Sequence, residues 1–313
     1  MADTNTSPVT PRPDDFHIGL TMAGAASAGC YTAGVMDYLF EILDLWQQAK
    51  EGKLGPEWGN AIYQLVPPHN VTIDVMGGTS AGGMTTIMAA IYAIKGKINP
   101  VKDPGEKHCL KENIFYDSWV LMGDGVEKGK PEKKEHLLFE RTLSTRDLDE
   151  TGKIQSLLNS DFIDSICDGA FADDVPVKKR PAYISPGLEV LLSHTMLRSV
   201  PLAVNFSTPF GNLKKNGDKP EHNTFDHFTV SHFKLDFDEA AHKDKYLPLD
   251  PFGPANATMK LATKATGAFP IGLRFREFFN QELSSAYMKN LAERIVFKKQ
   301  AGAAGSGLPP LEW

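Results

Sequence analysis

Ser80 is the residue of this chain best placed to do chemistry. It stands in Gly78-Thr79-Ser80-Ala81-Gly82, directly after the β-branched apolar run Val71 to Met76 and directly before the helix-forming segment Ala81 to Ile94. Strand, sharp turn and helix in that order make the elbow that lifts a serine hydroxyl clear of its neighbours. Glycines two residues to either side relieve the crowding there. A serine so held faces the first amides of the following helix, where the helix dipole favours developing negative charge. The pattern points to nucleophilic attack on a carbonyl, with Ser80 as the attacking group and Gly78 and Gly82 as the glycines that permit the turn.

Such an attack creates an oxyanion that needs donors, and a second turn of the same kind lies upstream. The apolar strand His17 to Met22 runs into Ala23-Gly24-Ala25-Ala26-Ser27-Ala28-Gly29, after which Tyr31, Val35, Tyr38, Leu39, Ile42 and Leu45 recur at helical spacing. No side chain of that loop can act as acid, base or ligand. Its backbone amides are unhindered and precede a helix start, which suits an oxyanion, with Gly24, Ala25 and Ala26 as the candidate donors. Close packing of a helix on a strand would use the same small residues.

Together the two turns resemble the patatin-like phospholipase family, in which a glycine-rich oxyanion loop precedes a G-x-S-x-G serine. The likeness extends to Ala262-Thr263-Lys264-Ala265-Thr266-Gly267-Ala268-Phe269-Pro270, which resembles that family's block of small residues ending in G-x-F-P. Ala25 and Ala26 stand where the family usually has glycine, and Ala28 where it often has a basic residue. Backbone donation survives those changes, whereas any role of a charged side chain does not. The resemblance implies a three-layer α/β/α sandwich with a mainly parallel sheet, lipid acyl hydrolysis by a Ser-Asp dyad, and no cofactor or metal.

The family's aspartate lies in a D-G-G or D-G-A motif downstream of G-x-F-P, and no aspartate follows Pro270 in this chain. The base is therefore expected beyond Trp313. Asp168-Gly169-Ala170 does form such a motif, but it precedes the G-x-F-P block, and the helical period of Phe162 to Asp168 makes Asp168 a surface residue at a helix end. The rival chemistry is a Ser-His-Asp triad, for which His222, His227, His232 and His242 lie downstream of Ser80. Their surroundings read as exposed loops, and their spacing suits no metal. A non-catalytic patatin-like module that binds lipid or a partner is the other alternative.

With 313 residues and 42% hydrophobic content the chain can bury one sizeable core. A net charge of −6 supplies no basic stripe for nucleic acid. The lysines at 128, 130, 133 and 134 alternate with glutamates and read as a solvated loop, with peripheral membrane contact as the second reading. Cys30, Cys109 and Cys167 fit neither a disulfide framework nor a metal site and read as small buried hydrophobes in a reducing, cytoplasmic setting. No apolar run is long enough to span a bilayer.

The elements that must position Ser80 follow from the same reading. Residues 1–15 form a disordered leader, 16–300 one patatin-like domain, and 301–313 a flexible tail or linker. Residues 100–180 form a helical insertion covering the serine as a lid, with Phe115, Trp119, Leu137 and Phe139 offering an acyl groove. Gly187 to Leu192 and Leu202 to Phe206 read as two strands joined by a loop, and Thr229 to Leu235 as an edge strand.

Overall fold

The computed structural model describes residues 15–56, 65–95, 113–121, 148–171, 180–205, 221–278, 286–291 and 293. They form an α/β fold around one five-stranded sheet in the order β1-β2-β3-β4-β5. Strands β1 (Asp15–Met22), β2 (Asn70–Thr79) and β3 (Ile184–Asn205) run parallel, β4 (Glu221–Lys234) is antiparallel to β3, and the two-residue β5 (Leu247–Pro248) is parallel to β4.

Two helices connect the parallel strands, α1 (Gly29–Lys50) after β1 and α2 (Ala81–Lys95) after β2. Consecutive right-handed crossovers in one direction place both on the same sheet face. The residues of α2 from Ala81 to Ile94 are all buried, as a helix apolar on every side must be. Its two threonines satisfy their hydroxyls internally, Thr85 donating to the Ala81 carbonyl and Thr86 to the Gly82 carbonyl. Shorter helices surround it: α3 (Ile114–Trp119), α4 (Asp161–Ala170), α5 (Glu239–His242) and α6 (Asn256–Thr266).

Several expectations change. Asp15, assigned to the leader, opens β1 and accepts from the Asn70 amide at 2.6 Å. β2 does not stop at its glycines but runs through Gly77 and Gly78 to Thr79, so that the turn begins at Ser80 itself. The two strands expected around residues 187–206 are one strand, β3. The expected loop is a register shift against β4 between Thr195 and Val200, bridged by His227 Nδ1 and the Met196 carbonyl at 2.7 Å. The helix of Tyr31 to Leu45 is present, yet Tyr31, Val35, Tyr38 and Ile42 are exposed. Its buried face is instead Ala33, Met36, Asp37, Phe40 and Leu43. Phe115, expected in an acyl groove, is a core residue that stacks on Phe40 and meets Tyr92 edge-on. Trp119 covers Gly29, where an added Cβ would overlap the indole ring. Leu137, Phe139, Cys109, the residues 301–313 and the Lys-rich run at 128–134 lie outside the described residues.

His194 of β3 sits on the sheet with Nε2 at 2.9 Å from Ser231 Oγ and its ring against Phe278. Its Nδ1 is sealed from solvent with no partner among the described residues, and burial pulls the imidazole down to about 4. A folded-state value below the unfolded one means that the native protein holds this ring neutral while the unfolded chain takes up a proton. The stability it contributes is complete above about pH 6.5 and is lost as pH falls toward 4, a difference of about 3 kcal/mol. Urea unfolding at pH 7 and pH 4 should therefore show wild type losing about that much more stability than His194→Gln. Parallel losses in the two proteins would show that His194 does not couple to folding.

Candidate active site

The turn between β2 and α2 holds Ser80 at φ 55°, in the left-handed region that non-glycine residues enter at a cost of roughly 1 kcal/mol. Every neighbouring position is shaped to allow it. A Cβ on Gly78 would run into the backbone of Gly82, and one on Gly82 into the carbonyls of Met22 and Ala23 at the end of β1. β1, the elbow and the start of α2 thus meet backbone to backbone. The Ser80 carbonyl begins the helix by accepting from the Met84 amide at 2.9 Å.

What holds the turn comes from far away in sequence. The Ser80 amide donates to Thr266 Oγ1 at 3.1 Å, and the Thr266 hydroxyl donates to the Ser193 carbonyl of β3 at 2.8 Å. One threonine at the C-terminal end of α6 therefore ties the elbow to the neighbouring strand. Thr79 Oγ1 and Ser193 Oγ add a second link at 2.5 Å. Thr266 belongs to the small-residue block that ends in Gly267, Phe269 and Pro270. Gly83 leaves room for it, since a Cβ there would press on the Thr266 side chain.

Gly24, in the loop after β1, lies against the serine. A Cβ on Gly24 would stand 3.2 Å from Ser80 Cβ and 3.2 Å from the Thr79 carbonyl oxygen. The amides of Gly24, Ala25 and Ala26 donate to no protein acceptor among the described residues. The first amides of α2 are open as well, as at any helix start. A hydroxyl on such a turn can attack a carbonyl, and backbone donors without another acceptor can hold the oxyanion that forms. Its own hydrogen-bond partner is missing: the Ser80 hydroxyl pairs with no group among the described residues.

The other candidates are occupied elsewhere. Asp168 lies near the end of α4, exposed, and pairs with Lys260 at 3.3 Å and Lys264 at 3.8 Å on α6. Asp164, one turn earlier, holds Lys264 and Arg276, so this network fastens α4 to α6 and to the segment after Pro270. His222, His227 and His232 lie on β4 rather than in loops. His232 is bound to Glu189 at 2.8 Å, and His242 Nδ1 accepts from the Asp238 amide at 3.0 Å. Among the described residues no group of histidine, cysteine and carboxylate side chains could hold a metal. Cys167 is buried and its thiol is pushed up to about 12 by burial, while Cys30, expected to be buried, is exposed. Thr266 and Ser193 were not read from the sequence as site residues. The only signal was the place of Thr266 in the G-x-F-P block.

No family model matches the chain, and no solved structure matches it significantly. It is similar to an uncharacterised protein, y4iI, of Sinorhizobium fredii, with 30% identity over 274 residues that cover 82% of this chain and 36% of that protein. The chain thus spans about a third of that relative's length. A shorter likeness, 37% over 67 residues and a fifth of each chain, is to a probable endo-beta-1,4-glucanase B of Aspergillus oryzae. No helix among the described residues is long and apolar enough to cross a membrane.

The strain at Ser80 has a measurable consequence. Ser80→Gly should raise the unfolding free energy by up to about 1 kcal/mol, because glycine enters the left-handed region freely, whereas Ser80→Ala should leave it nearly unchanged. Urea titration of the three proteins makes the comparison. A loss of stability in Ser80→Gly would mean that the turn is not strained.

Proposed function

We propose that the chain is the nucleophile-bearing part of a patatin-like lipid acyl hydrolase built on a three-layer α/β/α sandwich. The observation that carries the reading is Ser80, held at a positive φ between a strand and a buried helix, with Gly24 packed against it and the amides of Gly24 to Ala26 without an acceptor among the described residues. In this reading Ser80 Oγ attacks the ester carbonyl carbon while a base takes its proton. The carbonyl π electrons move to oxygen, and that oxyanion accepts hydrogen bonds from the loop amides. Collapse of the tetrahedral intermediate expels the alcohol, which is protonated as it leaves, and water then releases the acyl group from Ser80.

The base in this reading is an aspartate outside the described residues, placed by the family resemblance beyond Trp313. Lipid esters fit as substrates because exposed apolar side chains stand in the segment that follows Thr266, the residue bonded to the Ser80 amide. Phe269 and Ile271 stand two and four residues after Gly267, and Leu157 and Leu158 are tied to that segment through amides donating to the Ile271 and Gly272 carbonyls at 3.0 and 2.9 Å. Such a ledge suits peripheral contact with a membrane from the cytoplasmic side, without a spanning segment. No cofactor enters the chemistry. A non-catalytic lipid-binding module is the second reading, favoured by a Ser80 hydroxyl that pairs with no group among the described residues.

Turnover of a p-nitrophenyl ester separates the two when measured on this 313-residue chain, on a chain extended past Trp313, and on the extended chain carrying Ser80→Ala. The extended chain should be active, Ser80→Ala should lower its turnover by on the order of a thousandfold or more, and the shorter chain should be nearly inert. Equal rates for the extended chain and its Ser80→Ala variant would refute the hydrolase reading. A full rate in the shorter chain would place the base within it.

A further inference from the structure

Helix α1 carries apolar side chains on two opposite sides, and the fold uses one of them. Ala33, Met36, Phe40 and Leu43 are buried in the core cluster. About half a turn round the helix, Tyr31, Val35, Tyr38 and Ile42 stand 75%, 48%, 64% and 40% exposed. Further along the same stripe Leu45 is half-buried and Ala49 buried, close to Trp46 and Lys50, which donate to the Pro67 and His69 carbonyls. The stripe is thus open over its first three turns. A helix apolar on opposite sides is one that is covered on both.

The steps from Tyr31 to Ile42 are four, three and four residues, the spacing of a seam between two helices. We propose that this stripe pairs with the same stripe of a second copy of the chain, α1 against α1 and antiparallel, about a two-fold axis level with Met36 and Asp37. In that register Tyr31 of each copy meets Ile42 of the other, and Val35 meets Tyr38. Every layer then joins one aromatic side chain to one β-branched side chain, as a self-complementary patch requires. Charge selects the direction. Glu41 flanks the stripe, and no basic residue occurs in α1 before Lys50. A parallel pair would lay Glu41 along Glu41. The antiparallel pair sets the two carboxylates about 13 Å apart along the axis, beyond the roughly 8 Å over which salt leaves charges unscreened. Each instead comes beside Gly34 of the other copy, where a Cβ would meet nothing within 4 Å, and within reach of that copy's Tyr31 hydroxyl as donor.

The area agrees with a dimer of moderate strength. The four open side chains present about 400 Å² of accessible surface, half of the roughly 800 Å² that each partner gives to a stable interface. Val120, 51% exposed, and Tyr116 line the cleft beside Gly34 and Tyr38 and widen the patch. A lipid surface is the rival occupant. It is disfavoured because the stripe has an acidic flank and no cation of its own helix to hold an anionic leaflet. The proposal is independent of the role of Ser80, and Ser80→Ala should dimerise as wild type does.

Sedimentation equilibrium of the 313-residue chain tests it. Wild type should show a monomer–dimer equilibrium with Kd on the order of 10 μM. Val35→Asp sets two carboxylates beside the axis and should weaken the dimer at least about tenfold, with the far-ultraviolet circular dichroism unchanged because the position is half open in the monomer. Disulfides read the register without relying on that variant. In a Cys30→Ala background, an equal mixture of Tyr31→Cys and Ile42→Cys chains should oxidise to a mixed dimer. Neither variant alone should do so, since like positions lie about 16 Å apart along the axis and a disulfide needs Cα atoms within about 7 Å. A chain that stays monomeric at about 200 μM would overturn the proposal. So would a dimer unaffected by Val35→Asp, or disulfides formed by either variant alone as fast as by the mixture. Monomers that float with phosphatidylcholine–phosphatidylglycerol vesicles, and lose that in Val35→Asp, would assign the stripe to a lipid surface and equally overturn it.

Discussion

The conformation of Ser80 is the constraint on which the surrounding architecture depends. A serine at φ 55° stays there only if its neighbours over-determine it, and three separate stretches of chain do so. Gly78 and Gly82 remove the side chains that would block the turn, the end of β1 presses its carbonyls onto Gly82, and Thr266 takes the Ser80 amide and passes the bond on to Ser193. Removing Thr266 would leave a donor and an acceptor unpaired in a tightly packed place, which costs more than one lost hydrogen bond.

Packing carries that constraint into the rest of the fold. α2 is buried from Ala81 to Ile94, so its first turn cannot shift without moving the core. Ile87, Met88 and Ile91 belong to the same cluster as Ile73 and Met76 of β2 and Val190 and Leu192 of β3. The elbow is therefore the end of a rigid body. The ion pairs of Asp164 with Lys264 and Arg276 fasten α6, and with it Thr266, from the other side. Exposed pairs of this kind are worth little, but here Arg276 and Lys264 are mostly buried, and their geometry fixes where the chain beyond Pro270 departs.

Much of this was legible in local sequence, and the misses share a physical cause. The strand, turn and helix around Ser80 lie close to where the local sequence puts them, because glycine spacing and apolar runs act within a few residues. Which face of α1 is buried is not a local property. Tyr31, Val35, Tyr38 and Ile42 have a regular stripe, yet Ala33, Met36, Phe40 and Leu43 fill the core because α2 and α3 approach from that side. The loop expected between Leu192 and Leu202 is absorbed by pairing with β4 as a register shift. His222 and His227 looked like loop residues because the strand read at Thr229 to Leu235 extends back to Glu221 only through its pairing with β3. The Thr266 bridge spans 186 residues, and no pattern within one segment could announce it.

The central claim of the proposal is geometric: the amides of Gly24 to Ala26 would donate to a tetrahedral oxyanion formed on Ser80. A crystal structure of the phosphonate adduct, formed on a chain extended past Trp313, tests it most directly. The phosphorus should be bonded to Ser80 Oγ, with the phosphonyl oxygen within roughly 2.7–3.1 Å of at least two backbone nitrogens among Gly24, Ala25 and Ala26. A phosphonyl oxygen turned to solvent, or a probe attached to another residue, would contradict the account.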